Sequence, residues 1–257
     1  MYPYSSRLVV RAKLSGKLLS MKTFYLNCIE SGHDLLAELL ESGIIVDHII
    51  TLTPEQAEKH KVSGYRDFSN IAEKHGIPIY YPQKFSLSGE RDIAFIKKEA
   101  PDLMMVFGWQ RLIPAEVIDE LKIGALGAHG SSEFLPKGRG RSPINWSLIE
   151  GKDKFIIHLF YIDPGIDSGD IIDWVEFDLN LWDTCKTVYH KVQISLGKML
   201  SRSLPLIAEG REKRIRQNDS EATYYPKRTP EDGKIDWSKS TIAVSYTHLT
   251  LPTIYSV

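Results

Sequence analysis

The sequence has few or none of the features that mark several large classes of protein. Its 257 residues include only two cysteines, Cys28 and Cys185, which argues against a disulfide-stapled secreted fold and favours buried thiols in a reducing compartment. No apolar run reaches the roughly 18 residues that a membrane-spanning helix needs. The formal net charge of -1 gives no global field that would attract nucleic acid or a membrane surface. These absences leave a globular protein that we expect to be cytoplasmic.

Metal-binding patterns are also missing from the sequence. Cysteine and histidine residues do not cluster with the spacing of a zinc site. Four acids, Asp163, Asp167, Asp170 and Asp173, lie close together and raise the alternative of a calcium site. Their spacing does not match an EF-hand loop, and no glycine occupies its turn position. We therefore expect no metal, and we interpret all of these acids except Asp167 as solvated turn residues.

The two ends of the chain differ in composition from its middle. Residues 1–20 carry four basic side chains, several serines and no acid, which is typical of an organellar transit peptide or of an extension upstream of a start at Met21. We favour the extension and expect it to be disordered. Residues 244–257 read VSYTHLTLPTIYSV, which resembles the translation of sequencing-adaptor DNA. We expect this tail to be non-native and the natural protein to be longer.

Apolar residues alternate between strand-like and helix-like spacing from Met21 to about Phe177. This alternation predicts an α/β fold with a doubly wound, mainly parallel sheet and helices on both of its faces. A long helix, Thr184–Glu209, follows. The expected strands are Thr23–Ile29, Ile44–Leu52, Ile77–Tyr81 and Leu103–Trp109, and the expected helices lie around Leu35–Leu40, Asp67–His75, Glu90–Ala100 and Pro114–Leu121.

Two predicted strand ends carry residues suited to chemistry. Ligands of such sheets bind beyond the carboxyl ends of the strands, and here these ends read FGWQR from Phe107 and GAHGS from Gly127. His129 suits proton transfer because the pKa of imidazole lies near neutrality. A carboxylate such as Asp167 can fix the tautomer of an imidazole and hold its cationic form. A structural role is the alternative for an isolated histidine.

A glycine- and arginine-rich loop follows His129. Its sequence KGRGR, residues 137–141, suits an anion because glycine lets backbone N–H groups approach closely and arginine matches phosphate bidentately. It is not a Walker A loop, since the G-K-[ST] element is absent. A plain basic surface loop is equally compatible with Arg141.

The order of these motifs resembles the catalytic half of the formyltransferases that use 10-formyltetrahydrofolate, such as methionyl-tRNA and sugar N-formyltransferases. The family pattern runs N-x-H-x-S, L-P, R-G-x-x-P and D-x-G. The resemblance extends from about Met21 to Trp237. The matching residues, in order, are His129, Ser131, Leu135, Pro136, Arg139, Gly140, Pro143, Asp167 and Gly169.

This resemblance implies a domain organisation and an activity. Residues 21–210 would form a Rossmann-like catalytic domain, and residues 211–243 a linker or the start of a C-terminal region. The cosubstrate would be 10-formyltetrahydrofolate, and the acceptor an amine, either on a nucleotide sugar or on the methionine of initiator tRNA. The HGS, RGRSPINW and PEDGKIDW segments slightly favour the amino sugar. A hydrolase of the same folate and a catalytically impaired folate-binding homologue are the alternatives.

The resemblance also implies residue roles. His129 and Asp167 would be catalytic, while Gly127 stands where the family has an asparagine that stabilises the formyl oxyanion. Ser131, Ser132, Gln110 or a backbone N–H of the glycine-rich turn could replace that donor. Arg139, Gly140 and Arg141 would belong to the substrate loop, which is two residues longer than is common. The expected pterin pocket, in which Trp109 could instead be a core residue, comprises Phe107, Gly108, Trp109, Gln110, Arg111 and Leu112.

Overall fold

A computed structural model of the chain describes residue 18, residues 20–241 and residues 243–245. The expectations for a disordered extension and for a non-native tail fall almost entirely outside these residues. Within the described part of the chain, no helix is both long enough and apolar enough to cross a membrane.

A seven-stranded sheet forms the centre of the fold, in the order β3-β2-β1-β4-β5-β7-β8. The first five strands in this order are parallel, whereas β7 runs antiparallel to β5 and β8 runs antiparallel to β7. The expected mainly parallel α/β fold is therefore confirmed. The strands are β1 (Thr23–Leu26), β2 (His48–Ile50), β3 (Ile79–Tyr80), β4 (Leu103–Val106), β5 (Gly124–Ser131), β7 (Lys154–Tyr161) and β8 (Ile171–Asp178).

Helices cover both faces of this sheet because its strands are apolar on both sides. One buried cluster joins the sheet to α1 and α7 through residues such as Leu35 and Met199, and a second joins it to α4 and α5 through Ile96 and Val117. The helices are α1 (Glu30–Glu41), α2 (Pro54–Lys59), α3 (Ser69–His75), α4 (Glu90–Glu99), α5 (Ala115–Ile118), α6 (Pro143–Ile149) and α7 (Cys185–Glu209).

Local sequence signals fix the ends of the long helix α7. The Thr184 side chain accepts a hydrogen bond from the Thr187 backbone N–H, which satisfies a donor that the first turn leaves free. Gly210 ends the helix with a φ of 66°, a left-handed conformation that glycine adopts without steric cost. The N-terminal half of α7 borders the functional site described below.

The strand register brings the carboxyl ends of two strands beside β5. Leu26 and Val106, the last residues of β1 and β4, lie level with Gly127 in the middle of β5, whose residues 128–131 extend beyond them. The loop of residues 162–170, between the antiparallel strands β7 and β8, returns to the same edge. β1 and β4 end three residues earlier than expected because the chain turns away from the sheet at this edge, whereas β2 and β3 also begin later than expected.

The segment after α7 packs against the sheet domain. Ile215 pairs with Ile171, and a short strand β9 (Tyr224–Tyr225) pairs in parallel with β6 (Arg139–Gly140) in the loop after β5. A 3-10 turn, Asp219–Glu221, lies between them. At least residues 215–225 of the expected linker are thus attached to the fold through long-range backbone hydrogen bonds.

Candidate active site at the carboxyl edge of the sheet

A histidine and an aspartate face each other at this edge. Nδ1 of His129, on β5, lies 3.4 Å from Oδ2 of Asp167, in the loop between β7 and β8. The imidazole is 7% exposed and the carboxylate side chain 22%. The other ring nitrogen, Nε2, lies 2.8 Å from the carbonyl oxygen of Gly138. The structure thus brings together the two residues that the sequence assigns to proton transfer.

The Asp167 turn is held by hydrogen bonds from two other segments. Its backbone φ of 52° lies in the left-handed region, which costs a non-glycine residue free energy. The backbone N–H of Gly140 donates to Oδ2 of Asp167 at 3.0 Å, and the side chain of Gln217 donates to its carbonyl oxygen at 2.8 Å. Gly140 has a φ of 105° and approaches the Tyr225 backbone so closely that a Cβ would lie 2.4 Å from the Tyr225 carbonyl oxygen.

Two cavities lie on either side of the strand ends and share Gly108 and Ala128. The first, called here the loop cavity, has a volume of about 170 Å³ and is bounded by the chain after β4 and by the loop that carries Asp167. Leu112 and Ile166 line it and are 63% and 50% exposed, so apolar side chains face solvent there. Asp167 is among the residues that line the loop cavity.

The second cavity, called here the helix cavity, has a volume of about 200 Å³ and lies between the strand ends and α1, α6 and α7. His129 is among the residues that line it. None of the described lining residues is an acid, a lysine or an arginine. Its polar side chains are Ser31, Tyr189 and Gln193. The apolar side chains that line it are Ile29, Leu35, Phe107, Pro143, Ile144, Phe155, Ile157, Val192 and Leu196.

A second buried histidine, His158, contacts the backbone of His129. His158 is fully buried, its Nε2 accepts a hydrogen bond from the Leu135 N–H at 3.3 Å, and its Nδ1 lies 3.3 Å from the carbonyl oxygen of His129. Burial lowers the pKa of His158 to about 4, so the ring is neutral near pH 7. A neutral ring fits this role, because one nitrogen donates and the other accepts.

Sequence comparison identifies the family to which this site belongs. Residues 31–204 match the family described as formyl transferase, a span that includes both His129 and Asp167. The chain belongs to the formyl transferase family. Among its relatives is the methionyl-tRNA formyltransferase of Bacillus velezensis, which is 32% identical over 80% of this chain. The chain spans 63% of the length of that relative.

Solved structures share the fold at low sequence identity. An N-formyltransferase from Helicobacter canadensis, in complex with folinic acid and dTDP-3-aminofucose, aligns over 90% of this chain and 80% of its own with a TM-score of 0.64 and 16% identity. HypX from Aquifex aeolicus, in complex with tetrahydrofolic acid, aligns over 91% of this chain and 35% of its own with a TM-score of 0.65 and 18% identity.

Position 127, where the N-x-H pattern of the sequence resemblance has its asparagine, leaves little room for a side chain. A Cβ on Gly127 would lie 2.9 Å from Cγ1 of Ile162 and 3.3 Å from the Phe160 ring. Distances this short require the neighbouring side chain to move. The absence of a side chain at Gly127 therefore leaves room for the Ile162 side chain.

The alternative oxyanion donors suggested by the sequence have other partners. The Ser131 hydroxyl donates to the Lys137 carbonyl oxygen at 2.8 Å, and the Gln110 amide donates to the Ser63 carbonyl oxygen at 3.2 Å. Ser132 contacts Tyr225. A backbone N–H of the glycine-rich turn is the remaining candidate from the sequence.

The residues of the expected pterin segment, 107–112, lie in different parts of the structure. Gly108, Trp109, Arg111 and Leu112 line the loop cavity, and Trp109 also packs edge-on against a phenylalanine ring in the core. Phe107 is 5% exposed in the main core and lines the helix cavity instead. Four of the six residues of the expected pterin pocket therefore line the loop cavity.

Arg139 takes a structural position within the expected substrate loop. Its side chain is 1% exposed, and its guanidinium donates to the Gln217 side chain and to Asp219. Arg141 is exposed, and its backbone N–H pairs with the Tyr225 carbonyl oxygen. Neither arginine lines the two cavities. Sequence reasoning missed Gln217 because the residues that it joins are far away along the chain.

Proposed function

We propose that this chain transfers a formyl group from 10-formyltetrahydrofolate to a primary amine. The observation that supports this most strongly is the position of the His129–Asp167 pair between two cavities. His129 is among the residues that line the helix cavity, and Asp167 is among those that line the loop cavity. Two substrates bound in these cavities would meet at the pair.

The loop cavity suits the folate. Trp109, Leu112 and Ile162 offer apolar surfaces for a flat ring system, while the backbone after β4 offers N–H and C=O groups to its polar edge. The Trp109 indole N–H is buried and has no hydrogen-bond partner in the described part of the chain. The folinic acid and tetrahydrofolic acid complexes of the structural relatives support the same class of ligand.

The pair can move the protons that formyl transfer requires. As the amine nitrogen attacks the formyl carbon, Nε2 of His129 leaves the Gly138 carbonyl oxygen and accepts a proton from the amine, while Asp167 at Nδ1 stabilises the resulting imidazolium. When the carbon–nitrogen bond to the folate breaks, the imidazolium can return that proton to the departing nitrogen. The oxyanion between these steps needs a donor, for which we assign a backbone N–H, since the side-chain candidates are engaged elsewhere.

The lining of the helix cavity supports one class of amine as the acceptor. An amino sugar presents hydroxyl groups, each of which loses free energy in an apolar cavity unless it is hydrogen-bonded. The helix cavity is lined mainly by aliphatic and aromatic side chains. It suits an amine beside an apolar side chain, as in methionyl-tRNA, and this reverses the slight preference that the sequence motifs give to the amino sugar.

A two-acceptor assay with matched variants tests this proposal. We expect formylation of methionyl-tRNA in the presence of 10-formyltetrahydrofolate and little formylation of a dTDP-amino sugar. Val192→Thr puts a hydroxyl in the helix cavity and should raise KM for methionyl-tRNA about tenfold. Ile194→Thr, on the same helix but outside the cavity, should not.

Other outcomes of that assay would contradict the proposal. Formylation of the amino sugar alone would assign the helix cavity to a different acceptor. Release of formate at the same rate with and without an amine would identify a hydrolase. Donor binding without either product would identify a folate-binding homologue that lacks the activity.

A further inference from the structure

The side chain of Gln217 joins three segments that are far apart in sequence. Its Nε2 donates to the carbonyl oxygens of Asp167 and Gly169, both at 2.8 Å. Its Oε1 accepts from Nε and Nη2 of Arg139, at 3.1 and 2.8 Å. The side-chain amide thus uses both of its hydrogens and both lone pairs of its oxygen. Gln217 is 8% exposed, so these bonds are shielded from water.

Arg139 sets the orientation of the Gln217 side-chain amide. Arg139 has no acceptor atoms, so Gln217 must turn its oxygen toward the guanidinium and its nitrogen toward the Asp167 turn. The guanidinium is itself held by Asp219 at 2.7 Å and by the Tyr224 hydroxyl at 3.1 Å. The segment after α7 therefore fixes the direction in which the amide donates.

The carbonyl oxygen that receives this donation belongs to the residue that faces His129. Asp167 has a φ of 52°, a conformation that persists only when its surroundings hold it. Gly140 holds its carboxylate and Gln217 holds its backbone on either side of the turn. If the Gln217 donation is lost, the strained turn can relax and move the carboxylate away from the imidazole.

We propose that Gln217 is a positioning residue that holds Asp167 against His129, so that the segment after α7 completes the active site. This inference rests on the proposed function for the role of the pair. The geometry distinguishes this positioning role from a general role in stability, because the oxygen and the nitrogen of the amide contact different segments. The oxygen docks the segment through Arg139, and the nitrogen sets the Asp167 turn.

Gln217→Glu separates these two contributions. The carboxylate still accepts from Arg139, so the segment stays docked, but it cannot donate to the two carbonyl oxygens and repels them. We expect kcat for formyl transfer, per folded molecule, to fall about tenfold to a hundredfold, with KM for both substrates within about twofold. Asn218→Ala is the control, since within the described part of the chain that side chain bonds to Ser220 and Glu221 of its own turn and not to Arg139 or Asp167.

A second readout does not depend on turnover. The His129 ring signals in an NMR spectrum of histidine-labelled protein, assigned by their loss in His129→Ala, should shift in Gln217→Glu and stay unchanged in Asn218→Ala. If no variant and not even the wild type transfers formyl groups, the proposed function fails, while this shift still reports on the position of Asp167. Wild-type kcat together with an unchanged His129 signal in folded Gln217→Glu would overturn the inference.

A milder variant covers the case in which Gln217→Glu does not fold. Asp219→Asn weakens the hold on Arg139 from a side chain that is 76% exposed. We expect it to lower kcat about threefold with KM unchanged and to shift the His129 signal in the same direction. An unfolded Gln217→Glu combined with wild-type kcat in Asp219→Asn would show a purely structural role and would overturn the inference.

Discussion

Ile162 occupies the space that any side chain at position 127 would need. A Cβ on Gly127 would lie 2.9 Å from Cγ1 and 3.2 Å from Cδ1 of Ile162. A residue larger than glycine at position 127 therefore requires the side chain of Ile162, the first residue of the 162–170 loop, to move or to be replaced by a smaller one.

Gly127→Asn alone should not activate the protein. We expect it to lower the free energy of unfolding by about 1–3 kcal/mol, as overpacking typically does, and to leave kcat level or reduced. Gly127→Asn combined with Ile162→Ala should recover much of that stability, which urea denaturation would measure against Ile162→Ala alone. A sharp rise in kcat in the single variant would show that the natural site lacks an oxyanion donor.

His129→Ala should remove the proton-transfer group. We expect kcat to fall by about a hundredfold or more, with the dissociation constant of the folate within about twofold, because the donor cavity keeps its walls. Steady-state kinetics and fluorescence titration would measure the two effects. His190→Ala, an exposed histidine on α7, is the control. Near-wild-type turnover in His129→Ala would assign the proton transfer to another group.

Asp167→Asn should impair turnover while leaving the loop in place. The amide oxygen can still accept from the Gly140 N–H, but a neutral amide cannot stabilise imidazolium as a carboxylate does. We expect kcat to fall at least about tenfold, whereas Asp170→Asn in the same loop should retain wild-type kcat. Equal losses in both variants would point to a general disturbance of the loop.

The buried His158 should make the protein sensitive to acid. Desolvation lowers its folded-state pKa from the ordinary 6.5 to about 4, so below pH 6.5 the unfolded chain binds a proton that the folded one does not. Its contribution to stability is present above pH 6.5 and is lost as the pH falls toward 4, by about 3 kcal/mol in all.

Urea denaturation at several pH values between 7 and 4 tests this effect. His158→Gln retains a donor and an acceptor for His129 and Leu135 but does not titrate in this range. The variant should therefore lose less stability than the wild type across the interval. Parallel stability curves for the two proteins would contradict the assignment of a depressed pKa to His158.

Much of the fold and part of the candidate site could be predicted from the chain alone. Apolar spacing is a local property, and it correctly indicated alternating strands and helices. The long helix expected over Thr184–Glu209 is observed as α7, Cys185–Glu209. His129 and Asp167 were found as candidates because they stand within ordered motifs. The ends of the shorter strands were less well predicted, because they depend on where neighbouring strands leave the sheet.

Tertiary structure alone decided how these residues are held and what surrounds them. Three features join segments that are distant in sequence. They are the hydrogen bond of buried Arg139 to Gln217, the contact of Ile162 with Gly127 and the apolar lining of the helix cavity. No local pattern encodes such contacts, because each depends on the register of the sheet and on the path of the chain after α7. The sequence by itself determined the fold class and the chemical groups, and packing determined their geometry.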